Sequence, residues 1–195
     1  MTKSLTTRAL CAIAGLSLAA SGSSAAMITF IHSGQGSGTI DGVDFLRKNF
    51  TITGIGDTSS REFDGANVFS IDHTSASITI EDVGTFDFIS GTRTYVNSGS
   101  ESAGLSRETL DGADLFDSGA DPSLGVWDML SSIGPLQGSG ELLQWNLGNV
   151  DTSGGVLLFE SNPGVGGTFQ AIVVPAPASL GVLAMGGMVA ARRRR

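Results

Sequence analysis

The sequence predicts an all-β protein, an antiparallel β-sandwich or jelly roll, flanked by an N-terminal signal peptide and a short C-terminal hydrophobic helix. Three observations predict this class. Apolar and polar residues alternate in several short segments, which is the period of a strand with one buried face. Glycine is abundant, at 28 of 195 residues, and clusters with Ser, Asn and Asp between those segments, as in tight turns. No long segment repeats apolar residues at helical spacing.

Residues 1–26 have the three parts of a secretory signal peptide. Two cations begin the segment, residues 9–20 form an apolar run of twelve, and Ala26 precedes the predicted cut before Met27. A helix of that length spans about 18 Å, which is too short for a bilayer core of about 30 Å. We therefore expect cleavage by signal peptidase, with a retained N-terminal anchor as the alternative.

Residues 27–173 are predicted to form one exported β-sandwich domain, because a segment of roughly 150 residues buries enough surface for a single core. An Asp-Gly pair between apolar residues, as at Asp41-Gly42, indicates a hairpin turn. Residues 33–38 and 97–104 are predicted turns, and residues 125–132 are the best helical candidate, with at most two turns. The predicted strands are residues 28–32, 49–54, 67–71, 77–81, 85–88, 92–96, 141–147, 156–160 and 168–173.

Charge is segregated along the chain. Residues 27–174 carry five Lys or Arg and nineteen Asp or Glu, a net charge of −14, whereas the other six cations lie at the two ends. Such a polyanion repels phosphate backbones, so no nucleic-acid partner is expected. The single cysteine, Cys11, lies in the leader, and the middle therefore has no disulfide, thiol nucleophile or cysteine-rich zinc site.

Residues 174–195 form a second signal with three parts. It begins with an extended element, since each proline fixes its own φ and disfavours helix in the residue before it. Residues 178–191 are apolar or small, and their helix of about 21 Å is marginal for a membrane. The terminal arginines favour the cytoplasmic side. The residues of the two outer parts are Val174, Pro175, Ala176, Pro177, Arg192, Arg193, Arg194 and Arg195.

This C-terminus resembles the PEP-CTERM sorting signal, also known as the ice-binding-protein C-terminal domain. The family pattern is a Val-Pro-Glu-Pro-like element, a short transmembrane helix and an Arg-rich end; the chain reads VPAPASLGVLAMGGMVAARRRR, with Ala176 in the place of the usual glutamate. The resemblance implies export in a Gram-negative-type bacterium, transient contact with the inner membrane, and recognition by an exosortase-type membrane protease. It further implies residence at the cell surface or in the exopolysaccharide matrix of a biofilm. A tail anchor with a basic flank is the alternative.

The middle of the chain also resembles an exported β-domain that is found attached to PEP-CTERM tails and has no assigned activity. The resemblance rests on a glycine-rich segment after the first strand, a central GTFDFIS strand, the pair Trp127-Asp128 and a late LLQWN strand. It supports the fold and does not imply a function.

Four acids are the best candidates for a metal site, since Ca²⁺ takes six to eight oxygen ligands. Their spacings of 3, 3 and 4 residues match no defined calcium loop. We therefore expect a solvated acidic loop and no cofactor, with structural calcium as the alternative. The four are Asp111, Asp114, Asp117 and Asp121.

The remaining chemistry has weaker support. His32 and His73 are the only imidazoles, and we interpret both as ordinary strand or turn residues, because no Ser-His-Asp pattern is evident. Tyr95, Trp127 and Trp145 could stack on sugar rings, but a tryptophan in an apolar strand usually fills the core. Paired carboxylates could cut glycosidic bonds, although nothing marks one pair as buried. We expect no catalytic residues.

The pattern favours an exported cell-surface or exopolysaccharide-matrix protein with a structural or adhesive role, rather than an enzyme. The first alternative is a glycan-binding module, with or without calcium, and the second is an extracellular glycoside hydrolase or lyase. Exposed aromatic side chains along one sheet face would favour the first alternative. A cleft with two converging carboxylates, one of them partly desolvated, would favour the second.

Overall fold

A computed structural model describes residues 26–108, 112–160, 162–163 and 166–174. Nearly all of the predicted signal peptide, and the sorting segment after Val174, lie outside these ranges. The described residues form β-strands joined by turns and two short 3-10 segments, Thr58–Ser60 and Pro122–Gly125, so the all-β prediction is confirmed. No helix in the described ranges has the length and apolar character needed to cross a membrane.

Fourteen strands occur in the described ranges, and their bounds set the positions discussed below. They are β1 (Met27–Ile40), β2 (Val43–Asp57), β3 (Glu62–Phe63), β4 (Val68–Ile80), β5 (Gly84–Asp87), β6 (Thr92–Asn97), β7 (Ser102–Arg107), β8 (Asp114–Ala120), β9 (Ile133–Gly138), β10 (Glu141–Leu142), β11 (Val150–Thr152), β12 (Gly155–Phe159), β13 (Asn162–Pro163) and β14 (Gly167–Val174).

One curled sheet joins these strands, and each pairing is antiparallel. Its main path runs β11-β12-β1-β2-β4-β6-β7-β8-β10-β13, while β14 branches from β1 and carries β9, and β3 and β5 branch from β4. The sheet curls far enough for the backbone of residues 87–90 to hydrogen-bond to residues 151–153, which joins the end of β5 to β11. This closure covers strand edges that would otherwise be free to pair with other chains.

The hairpin predicted at Asp41-Gly42 is confirmed. It connects β1 to β2, with Ile40 opposite Val43. The φ angles of Asp41 and Gly42 are 48° and 77°, and a two-residue turn of this kind needs positive φ at both positions. Asp and Gly tolerate that conformation, which is why this pair sets the register of the two longest strands.

The glycine-rich segment at residues 33–38 is a strand, so the predicted turn there is wrong. β1 continues through it, because its glycines leave room for neighbours rather than reversing the chain. A Cβ on Gly36 would lie 2.8 Å from the ring of Phe159, and one on Gly38 would overlap the backbone of Leu158. The missing side chains let β12 pack directly against β1.

Other sequence predictions also need correction. The predicted strand at residues 141–147 stops at Leu142, since the N–H groups of Leu143 and Gln144 turn to the carbonyls of residues 115 and 114. The helical candidate at residues 125–132 is irregular beyond the 3-10 turn that ends at Gly125. The turn predicted at residues 97–104 gives way to β7 at residue 102.

Two clusters of buried apolar side chains form the core. The first gathers side chains from both halves of the curled sheet and includes Phe50, Phe116 and Trp145. The second lies around Phe30 and Phe169. Trp145 is 1% exposed and Trp127 is 6% exposed, so both tryptophans fill the core, as the sequence predicts. Burying such side chains stabilises the fold by roughly 1.5–3 kcal/mol each.

Candidate functional site

The candidate site lies on three neighbouring strands, β6, β7 and β8. Tyr95 of β6 lies directly opposite Gly104 of β7, and Gly104 lies opposite Asp117 of β8. A Cβ on Gly104 would lie 2.5 Å from the Tyr95 hydroxyl oxygen. The tyrosine side chain therefore crosses over the glycine towards β8, where the Asp117 carboxylate lies near its hydroxyl.

A second row of side chains runs beside the first. Arg93 lies opposite Ser106, and Ser106 lies opposite Asp114. The Nε–H of Arg93 donates to Ser106 Oγ at 3.0 Å, so the guanidinium is held over the middle strand. Residues two apart on a strand share a face, which places Arg93 and Tyr95 on the same side of the sheet.

A β-bulge in β8 brings the two aspartates together. Asp114 and Asp117 are three residues apart and would lie on opposite faces of a regular strand. The register of β8 against β7 shifts between these positions, where Leu115 and Phe116 are both fully buried. The extra residue restores both carboxylates to the face that carries Tyr95. Bulges of this kind re-aim side chains next to functional sites.

These rows form the floor of an open cleft of about 240 Å³, which we call the Tyr95 cleft. That volume lies below the roughly 300–1,000 Å³ typical of pockets for drug-sized ligands, so it suits a group of about one sugar ring. Tyr95 itself is 9% exposed, and most of the residues that line the cleft have polar side chains. The lining residues that matter below are Glu62, Asp64, Ser70, Arg93, Asn97 and Asp114.

Phe63 is one of the residues that line the cleft, and it is 55% exposed. The ring packs against Phe69 with 4.7 Å between centroids, and Arg61 lies 5.0 Å above Phe69. Val68 and Ser70, the neighbours of Phe69, line the cleft. Since successive side chains of a strand point to opposite faces, Phe69 belongs to the other side of the sheet. No row of exposed aromatic rings follows the cleft within the described ranges.

The electrostatics of the cleft favour a neutral tyrosine and an uncompensated aspartate. Burial raises the pKa of Asp114, the Asp117 carboxylate raises it further, and the Arg93 charge only partly opposes them. Burial also raises the pKa of Tyr95, with smaller contributions from both aspartates, so its hydroxyl stays protonated. The Asp117 carboxylate accepts a hydrogen bond from the backbone N–H of Gly119 at 2.7 Å.

The four calcium candidates do not form one loop, so the predicted solvated loop is wrong for residues 114–120. Asp114 and Asp117 lie on β8, and Asp121 caps the 3-10 turn by accepting from the Ser123 N–H and hydroxyl at 2.9 and 2.6 Å. Asp111 lies outside the described residues. No three His, Cys, Asp or Glu side chains within those residues are placed to hold a metal ion. Structural calcium stays a prediction.

The two histidines, far apart in sequence, meet inside the core. His32 of β1 is 0% exposed, and its Nε2 lies 3.0 Å from Thr94 Oγ1. His73 of β4 also places its Nε2 3.0 Å from that oxygen, and its Nδ1 lies 2.9 Å from Thr92 Oγ1. The hydroxyl of Thr94 thus bridges the two imidazoles. We call these four residues the histidine pair and its threonines.

Both imidazoles are held neutral by burial. Burial lowers the pKa of His32 to about 3, with the nearby His73 adding to the effect, and lowers the pKa of His73 to about 4. His32 packs against the rings of Phe116 and Phe169, and its buried Nδ1 has no hydrogen-bond partner among the described residues. His32 is closed to solvent and His73 is partly buried, and neither imidazole lines the Tyr95 cleft.

The residues predicted for processing are only partly described. Ala26 accepts a hydrogen bond at its carbonyl from the Thr58 N–H, and Met27 lies opposite Val174 where β1 pairs with β14. The two ends of the β-domain therefore lie side by side. Outside the described residues lie Pro175, Ala176, Pro177, Arg192, Arg193, Arg194 and Arg195.

Sequence reasoning missed Arg93, Ser106 and the pairing of Asp114 with Asp117. The alternation that predicts residues 92–96 as a strand already places Arg93 and Tyr95 on one face. The bulge has no signal in the sequence, because it depends on how two core side chains of β8 pack. Comparison of the chain with protein-family models, with curated proteins and with solved structures finds no match.

Proposed function

We propose that this chain is an exported cell-surface or exopolysaccharide-matrix protein with a structural, adhesive role and no catalytic activity, and that it adheres by binding a glycan in the Tyr95 cleft. The bulge in β8 carries the proposal, since it gathers Asp114 and Asp117 beside Arg93 and Tyr95. Sugar hydroxyls are recognised by several donors and acceptors placed around one ring. The cleft offers a guanidinium, an amide, hydroxyls and carboxylates within about one ring's volume.

Binding accounts for the carboxylates better than hydrolysis does. Most glycosidases need two carboxyl groups that act on the scissile bond from opposite sides. Asp117 already accepts from the Gly119 N–H and lies near the Tyr95 hydroxyl, so we assign it to positioning the tyrosine. Hydrolase or lyase activity is the second candidate, because Asp114 is partly desolvated beside another carboxylate. Release of new sugar ends from exopolysaccharide by the full chain would favour that candidate.

Export and sorting are part of the proposal. Signal peptidase is proposed to cut between Ala26 and Met27, and an exosortase-type protease to act near residues 174–177, with calcium absent or incidental. The pairing of Met27 with Val174 supports this, since both connections leave the β-domain at one end. The Asp41-Gly42 hairpin lies at the opposite end of β1. A domain attached at one end can present its other surfaces to the matrix.

We propose further that the curled sheet is the predicted antiparallel β-sandwich or jelly roll. The support is that side chains of β1, β2 and β4 on one side and of β7 and β8 on the other share one apolar cluster. Two sheet faces that bury a common apolar layer are the defining feature of such folds.

Replacing Arg93 tests the glycan-binding proposal. We expect Arg93→Gln to weaken binding of the full chain to extracted exopolysaccharide by about tenfold, because the loss of a charged hydrogen-bond donor costs roughly 1.5–3 kcal/mol. Arg47→Gln is the matched control, since Arg47 is exposed on the β1–β2 hairpin away from the cleft. Equal binding by both variants and the unmodified chain, measured by calorimetry, would rule out the cleft as the binding site.

Removing Arg192 to Arg195 tests the sorting proposal. Those arginines are the only charges after residue 174 and so the only ones available to hold the tail on the cytoplasmic side. We expect their deletion to block C-terminal processing, with the protein retained in the membrane fraction at a higher intact mass. A mature protein of unchanged size and location after the deletion would contradict the sorting proposal.

A further inference from the structure

The charges around the Tyr95 cleft do not balance. Glu62, Asp64 and Asp114 line it against the single guanidinium of Arg93, and Asp117 lies directly beneath the Tyr95 hydroxyl. The ion pairs within the described ranges, Lys48 with Asp82 and Arg61 with Asp128, lie elsewhere. The cleft therefore keeps a net negative charge. Such a site repels uronate, sulfate and phosphate groups and attracts cations.

Asp114 is the carboxylate that a bound cation would stabilise most. It is half-buried next to Asp117, and both carboxylates face the same side of β8 because of the bulge. Arg93 is the one described cation that acts on it, and the Arg93 Nε–H is already directed to Ser106. A buried charge without full compensation is costly, and a cationic ligand group would supply the missing partner.

The shape and polarity of the lining favour an ammonium group on a sugar over a metal ion or a lysine side chain. A metal ion would need more ligands than the described residues bring together. A lysine stem would need apolar walls for its four methylene groups, whereas Phe63 and Val68 are the two purely apolar side chains among the described residues that line the cleft. Ser70, Asn97 and Glu62 instead offer polar atoms around the full ring of a sugar.

We infer that the Tyr95 cleft selects a hexosamine residue that carries a free, protonated amine, with the ammonium group paired to Asp114 and the ring hydroxyls bound by the surrounding polar side chains. The glycan class is therefore a polymer of amino sugars that is at least partly free of N-acetyl groups. This inference rests on the proposed glycan-binding function and specifies its ligand.

The test compares three oligosaccharides of equal length and matched linkage, titrated into the full chain by calorimetry at pH 6. They are an oligomer of glucosamine, its N-acetylated counterpart and an oligomer of glucose. We expect the glucosamine oligomer to bind at least tenfold more tightly than the other two. That preference should shrink at 1 M salt, where the Debye length falls to about 3 Å and charge attraction is screened.

Variants then assign the preference to one carboxylate. Asp114→Asn keeps the shape of the side chain and removes its charge, so the tenfold preference should disappear while weak binding of the neutral oligomers persists. Asp87→Asn is the matched control, because Asp87 is an exposed aspartate on β5, away from the cleft, and its loss changes the net charge equally. Glu62→Gln, on the short edge strand β3, is a second cleft variant that leaves β8 intact.

The outcomes separate this inference from the function on which it rests. Equal affinity for all three oligomers, with no effect of Asp114→Asn, would overturn the amine preference and leave glycan binding in place. Binding of none of them, and of no extracted exopolysaccharide, would overturn both. A lysine-rich peptide that binds as tightly as the glucosamine oligomer, with the same dependence on Asp114, would show that the cleft takes protein cations and would overturn the sugar assignment.

Discussion

Acidification from pH 7 to pH 5 is expected to lower the free energy of unfolding by about 4 kcal/mol through the histidine pair alone. The free energy of unfolding of a single domain is roughly 5–15 kcal/mol, so a loss of this size removes a large part of it. The cause is the position of His32 and His73, which lie inside the core and share the hydroxyl of Thr94.

The sign follows from the two protonation equilibria. The pKa of His32 is about 3 and that of His73 about 4 in the folded chain, against an ordinary value near 6.5 in the unfolded chain. Between those values the unfolded state binds protons that the folded state excludes. The stability is therefore complete above pH 6.5 and falls by about 1.4 kcal/mol per histidine for each pH unit below it.

No described charged group compensates a proton on the pair. His32 faces Phe116, Phe169 and Thr94. His73 faces Phe30 and lies directly over Gly54, with the threonine hydroxyls on its other side. An imidazolium in these surroundings would be buried without an acidic partner. We therefore expect protonation of the pair to unfold the chain.

Denaturant unfolding at pH 7, 6 and 5 measures this effect. His32→Gln is the comparison variant, since glutamine can still hydrogen-bond to Thr94 but does not titrate. Its stability at pH 7 should be lower, yet the pH dependence that the pair contributes between pH 6 and 5 should fall by about half. Identical slopes for the variant and the unmodified chain would contradict the account of the pair.

Gly104→Ala is expected to destabilise the chain by about 2–3 kcal/mol and to abolish glycan binding. An added methyl would overlap the Phe116 carbonyl of β8 and lie 2.5 Å from the Tyr95 hydroxyl oxygen. The backbone of β8 cannot move without disturbing the bulge, and Tyr95 cannot stay above residue 104. One methyl group therefore damages both the sheet and the cleft.

Gly125→Ala is the matched control for that substitution. A Cβ there meets only the flexible side chain of Glu101, at 3.2 Å, so it should be accommodated with little change in stability or binding. Thermal unfolding and calorimetric binding of both variants give the result. A Gly104→Ala chain that keeps full affinity for the glycan would mean that Tyr95 and its position above Gly104 have no part in recognition.

The sequence predicts the strands well where one face is buried and the other is exposed to solvent. Alternation identifies residues 49–54 and 77–81 correctly, and Asp41-Gly42 predicts its hairpin, because each of these signals is local. These local signals fail where tertiary packing decides the conformation of a segment. The glycines of residues 33–38 resemble a turn, yet they form a strand that other side chains cross closely.

The site is less predictable than the fold for the same reason. The acids Asp114 and Asp117 attract notice as possible metal ligands, but their common face results from a bulge set by Leu115 and Phe116. Likewise, nothing near His32 in the sequence indicates His73, since their contact depends on long-range pairing of β1, β2, β4 and β6. The shared face of the two aspartates and the contact of the two histidines both result from tertiary structure.

We propose the Tyr95 cleft as the surface that holds the glycan. The most direct test is to map amide chemical shifts of the isotope-labelled chain while extracted exopolysaccharide fragments are added. We expect concentration-dependent shifts confined to β3, the start of β4, β6 and residues 112–117. Shifts centred elsewhere, such as the groove beside Leu46 and Leu158, or none at saturating glycan, would contradict it.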